Sequence, residues 1–110
     1  MHVSFVSDKL ERQFQTEKSL VRAFGDRAKR IMMRLDLLKA AKCLADVPST
    51  PPPRRHELKG DRAGCFAVDV TGNWRLVFRP NPHLAPLAPD GGYYLQAITA
   101  ITVIVVEDYH

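Results

Sequence analysis

Apolar positions follow two different rhythms along the chain, helical from Leu10 to Leu38 and alternating from Phe66 onward. Met1 to Val6 reads as a short first strand. Asp8, with Glu11 three residues on, reads as an N-cap with its capping partner. Leu10 and Phe14 share a face at i,i+4, and Leu20, Val21 and Phe24 continue the stripe beyond an irregularity near Gln15 and Thr16. Gly25 ends this first helical segment. Asp26 then reads as the cap of a second helix, whose apolar face is Ala28, Ile31, Met32, Leu35 and Leu38. Two helical segments joined near Gly25 predict an antiparallel helical hairpin from about Asp8 to Ala45, lying on a sheet. Arg27, Arg30 and Arg34 fall together on another face, which is either a solvated surface or a contact for phosphate or a partner protein.

Pro48, Pro51, Pro52 and Pro53 remove backbone donors and force a loop. Beyond it Arg54 to Lys59 is a candidate strand, Gly60 to Gly64 a turn, and Cys65 to Val70 a strand with Phe66, Val68 and Val70 on one side. Thr71-Gly72-Asn73 supplies a hairpin turn. Trp74 to Arg79 returns as a strand, with Trp74, Leu76 and Phe78 on one face and Arg75, Val77 and Arg79 on the other. Pro80 to Gly92 contains four prolines and a Gly-Gly pair, an excursion rather than a strand. The last strand runs from about Ile98 to Glu107. Its nearly continuous β-branched content predicts burial on both faces, in the middle of a sheet covered by helices. The fold class is therefore α+β, with a helical hairpin on a small, mainly antiparallel twisted sheet whose C-terminal strand is central.

The chain has 110 residues, and two separate cores would each be undersized, so one domain over 1–110 is expected. Hydrophobic residues make up 45% and charged residues 25%, too apolar on average for a disordered chain. The longest apolar run, Ala100 to Val106, is far shorter than the roughly 20 residues of a membrane span. The N-terminus lacks a secretory pattern, which points to the cytoplasm. Cys43 and Cys65 stand alone, without metal-ligand spacing, and read as buried free thiols. The net charge of +4 permits an anionic partner without requiring one.

Five polar groups stand where strands meet turns: His56, Lys59, Arg75, Asp108 and His110, with Tyr109 between the last two. Their types suit RNA cleavage without a metal. That reaction needs a base for the ribose 2′-hydroxyl, cations for the phosphorane, and an acid for the leaving 5′-oxygen. Each also has a structural reading. His56 fits an exposed strand edge, Lys59 a turn, and Asp108 to His110 a frayed tail, while Arg75 could pair with Asp69 across the hairpin and Trp74 could anchor the core.

Taken together, His56-Glu57-Leu58-Lys59-Gly60-Asp61-Arg62-Ala63-Gly64, then Gly72-Asn73-Trp74-Arg75-Leu76-Val77-Phe78, then Asp108-Tyr109-His110, resemble the HigB branch of the RelE/ParE toxin superfamily in order and spacing. The resemblance implies a toxin of a type II toxin-antitoxin pair. Such a toxin enters the ribosomal A site and cleaves translated mRNA, with no metal or other cofactor. Its partners would be the ribosome, mRNA and an antitoxin of helix-turn-helix type, with no membrane. Carried over by position, His56 and His110 become acid and base groups, in an order the resemblance leaves open, with Asp108 assisting a histidine. Lys59 and Arg75 become phosphate and transition-state stabilisers, and Tyr109 positions the nucleotide. His110 would carry its own α-carboxylate beside its imidazole.

Two departures accompany the match. Many relatives carry a further basic residue late in the strand before the Gly72-Asn73 turn, where this chain has Asp69-Val70-Thr71, leaving Arg62 or Arg79 as substitutes. The Pro80 to Gly92 segment is also longer than the usual compact turn. The same fold serves ParE-like toxins that inhibit DNA gyrase by protein contact, and an inactive interaction module would keep it too, so these are the alternatives. Arg27, Arg30, Arg34, Arg62 and Arg79 complete the expected RNA or ribosome contacts.

Overall fold

The computed structural model describes residues 1–81 and 87–109. Five strands, β1 (His2–Phe5), β2 (His56–Glu57), β3 (Phe66–Thr71), β4 (Trp74–Pro80) and β5 (Ala100–Asp108), form one sheet in the order β1-β5-β4-β3-β2. β1 runs parallel to β5 and the other neighbours are antiparallel. The C-terminal strand is an interior strand paired along both edges, as expected, and β4 occupies the middle place. No helix among the described residues is long and apolar enough to cross a membrane.

The helical layer is α1 (Asp8–Gln13), α2 (Glu17–Phe24) and α3 (Ala28–Ala40). The break predicted near Gln15 is real, and Thr16 starts α2 with a reciprocal capping box to Ser19. Two expected caps move. Ser7, not Asp8, caps α1: its Oγ accepts from the Leu10 amide at 3.1 Å, and Asp8 becomes the first helical residue, where its charge still favours the helix dipole. Asp26 caps nothing, because Gly25–Arg27 forms a single 3-10 turn that runs straight into α3 and uses the Ala28 amide on the Gly25 carbonyl. Gly25 permits this junction with φ +59°, a conformation that side chains resist.

The helices pack through Leu20, Ile31, Leu35 and Leu38 onto one face of the sheet, meeting Phe66 and Phe78. Burying either ring contributes roughly 1.5–3 kcal/mol. Contrary to the expectation from the β-branched content of β5, no helix residue belongs to the small cluster on the opposite face. That cluster is Leu58, Cys65, Ala67 and Val77, with Ile104 and Val105 partly buried against it.

β5 departs from simple alternation. Val105 lies opposite Val77 and Val103 opposite Phe78, so Ile104 is an extra residue in β5, a bulge. Before it Ile101 and Val103 face the helices; after it Val106 does. The bulge therefore turns Glu107 toward the helix-free face.

Three further expectations change. Trp74 is half-buried: it lies next to the Gly72-Asn73 turn, and the Arg27 guanidinium covers its ring at 4.1 Å. Arg34 lies on no solvated face. It is 6% exposed, and its Nε donates to the Asp69 carbonyl at 2.6 Å, where the β3–β4 ladder is interrupted. Burial, then Arg30, push its pKa down, with Asp69 opposing. Finally, β2 is shorter than the Arg54 to Lys59 strand expected, because the Arg54 and Arg55 amides bond back to the Thr50 and Pro48 carbonyls in the proline loop.

Candidate functional site

Strand register lines up three charged residues on the helix-free face. Asp69 of β3 lies opposite Arg75 of β4, and Arg75 lies opposite Glu107 of β5. The expected Arg75–Asp69 pair does not form. Both Asp69 oxygens are taken by Arg54, at 2.6 Å from Nε and 3.0 Å from Nη2, and Arg75 turns to the longer Glu107 instead. Its Nε and Nη2 donate to Glu107 Oε2 at 2.9 and 2.6 Å, while Arg62 reaches from its turn to Oε1 at 2.6 Å. Arg75 is the most enclosed of these side chains, 15% exposed.

Tyr109 closes the group, its ring 4.7 Å from the Arg75 guanidinium carbon in a cation–π contact. It also touches Arg54, whose pKa is raised by the hydrogen bond to Asp69 first and by Tyr109 last. Burial would raise the Glu107 carboxyl, but hydrogen bonds and charge from Arg75 and Arg62 prevail and hold it below its usual range. Three guanidiniums thus face two carboxylates, leaving the cluster net positive.

His56 is tied to this group through the backbone. Its Nδ1 lies 2.7 Å from the Arg54 carbonyl, which can only accept, so Nδ1 carries a proton and, in the neutral tautomer, Nε2 is the basic nitrogen. Arg54 presents that carbonyl from a left-handed conformation, φ +47°. Lys59 is exposed just before the Gly60–Arg62 turn. Arg79 lies two residues beyond Val77 on the Arg75 side of β4, and with Arg62 it opposes the burial that raises the Cys65 thiol. Asp108 falls in register with Trp74, one step out of phase with Glu107 and Tyr109. His110 lies outside the described residues, as does 82–86 of the long loop. Arg27 and Arg34 belong to the helix–sheet contacts already described, and Arg30 is exposed on α3.

Arg75, Arg62 and Tyr109 were singled out by residue type and are brought together. Arg54 and Glu107 were not. Arg54 gave only the signal of an arginine pair before His56, and Glu107 becomes visible only once the bulge sets its side. A groove of about 670 Å³ between α2 and α3 holds none of these residues.

Solved structures of the same architecture include the YoeB/ParE toxin from Agrobacterium tumefaciens, with a TM-score of 0.55 and 17% identity over 100% of both chains. A second is the YoeB-YefM complex from Staphylococcus aureus, with a TM-score of 0.54 and 13% identity, covering 100% of this chain and 97% of that one. Residues 3–84 match the family model of HigB-like toxins, described as the RelE-like toxin of type II toxin-antitoxin system HigB. The chain belongs to that family. Comparison with curated proteins gives no match.

Proposed function

We propose that this toxin is a ribosome-dependent mRNA endoribonuclease that uses its own side chains, and the observation that carries the proposal is the gathering of Arg75, Arg62 and Tyr109 on the open, helix-free face of the sheet. Guanidiniums suit a phosphodiester because their planar N–H donors match its oxygens. They gain strength as the phosphorane accumulates charge. An aromatic ring beside them gives a single-stranded base a surface to stack on.

In this reading His56 Nε2 removes the proton from the ribose 2′-hydroxyl. The 2′-oxygen attacks phosphorus, the bond to the 5′-oxygen breaks, and His110 protonates that leaving oxygen. The products are a 2′,3′-cyclic phosphate and a 5′-hydroxyl. Lys59 and Arg75 stabilise the phosphorane, and Asp108 assists His110. The partner is an antitoxin, and the form proposed is a helix-turn-helix protein. Because the site is an open surface, the ribosome would supply the rest of the enclosure by holding mRNA against it.

Induction in cells carrying both a translation reporter and a DNA-damage reporter tests the proposal. Arrest of translation within minutes with a silent damage response is the expected result. Damage signalling ahead of translation arrest would favour the gyrase-directed alternative, and neither response would favour an inactive module.

A further inference from the structure

Each oxygen of the Glu107 carboxylate faces its own arginine, Oε1 toward Arg62 and Oε2 toward Arg75. The two cations come from different parts of the chain, one from the middle strand and one from the Gly60–Arg62 turn. Without an anion between them, like charges would drive them apart, and among the described residues Glu107 is the one side chain that holds Arg62 by a hydrogen bond. A guanidinium has five N–H donors in one plane. Arg75 uses two on Glu107 and Arg62 uses one, so among the described residues donors remain on both. One carboxylate between two guanidiniums leaves a single net positive charge, which matches the single negative charge of a phosphodiester.

We propose that Glu107 is a positioning residue, which fixes Arg62 beside Arg75 so that both present N–H groups to one RNA phosphodiester. Arg62 then joins Arg75 and Lys59 as a phosphate-binding cation of the site. The inference rests on the RNA-cleaving reading above. It has an opposite in which Glu107 occupies the phosphate's place and must be expelled, and the two differ in sign.

The test uses the full chain in a purified translation reaction, where single-turnover cleavage is followed against toxin concentration. Glu107→Gln keeps the shape but loses the charge and one acceptor. It should lower the maximal rate about 10²-fold, with a smaller change in the half-saturating concentration, and Glu107→Asp should recover part of the loss. Arg62→Ala, an alteration on an exposed turn, should give a similar loss, and adding Glu107→Gln to it should do much less than Glu107→Gln alone. A Glu107→Gln protein at or above the wild-type rate, or effects that simply multiply, would overturn the proposal. A second readout is independent of cleavage: the arginine Nε–H resonances on titration with an uncleavable 2′-O-methyl RNA trinucleotide. Arg62 and Arg75 should shift together in the wild type, and the Arg62 response should vanish in Glu107→Gln. If wild-type protein leaves mRNA intact while both resonances still move together, the cleavage reading fails and the positioning role stands. An Arg62 resonance that ignores the trinucleotide overturns the role.

Discussion

Arg75 donates through Nε and Nη2 to one oxygen of Glu107, Oε2, and lays its guanidinium against Tyr109, so its place calls for a planar, forked cation. A lysine keeps the charge but has neither the fork nor the stacking plane. Arg75→Lys should therefore lose mRNA cleavage by about 10²-fold, with a melting temperature within a few degrees of wild type, as measured by circular dichroism beside the cleavage assay. Full activity in the lysine variant would show that only charge matters here. Glu107 gives a pH signature of its own. Its folded-state pKa is depressed, so its contribution to stability is complete above the unfolded value of about 4.3 and is lost as pH falls through the folded value. Wild type and Glu107→Gln should have separate urea midpoints at neutral pH and converging midpoints in acid, whereas a constant gap would contradict the ion-pair account. The types of His56, Lys59, Arg62, Arg75 and Tyr109 marked them in the sequence as candidates. Their partners were hidden, because whether Arg75 takes Asp69 or Glu107 depends on Arg54, which arrives from a proline loop and claims Asp69 first.

At the scale of elements, the extra residue at Ile104 decides which side of the sheet the end of β5 serves. Unbroken alternation from Val103 would put Val105 against the helices, whereas the bulge buries Val106 there. Val106→Asp should then cost about 3 kcal/mol or more, or prevent cooperative folding, and Val105→Asp on the half-buried far side should cost about 1 kcal/mol, read from urea denaturation. The reverse order would remove the bulge from the account, and with it the placement of Glu107. The run Val103 to Val106 is all β-branched and fits a strand in either phase, so nothing in it announces a bulge. The alternation of β3 and β4, by contrast, was legible, since Phe66, Val68, Leu76 and Phe78 repeat cleanly and all face the helices. The cap at Ser7 was obscured for a local reason: Ser7 and Asp8 both favour that role, and only backbone geometry separates them.

The whole molecule is asymmetric. Helices cover one face of the sheet, and the other carries the charged cluster around a small apolar patch. Residue patterns revealed the class and the order of elements but not this one-sidedness, because β-branched residues fill both faces of β5, and on the far face Ile104 and Val105 pack with a small cluster of Leu58, Cys65, Ala67 and Val77. With a net charge of +4 and its site open to solvent, the toxin should bind ribosomes in a salt-dependent way. Raising salt from about 50 to 200 mM should weaken binding about tenfold or more, and Arg62→Ala should reduce that slope. A slope unchanged by Arg62→Ala would place Arg62 off the phosphate path. Mapping mRNA ends in a purified translation reaction, with and without ribosomes, tests most directly whether this chain cuts translated mRNA with its own side chains. Cuts within the A-site codon only when ribosomes are present, leaving 2′,3′-cyclic phosphate and 5′-hydroxyl ends, are the predicted result. Intact mRNA on translating ribosomes, or cuts that need no ribosome, would contradict it.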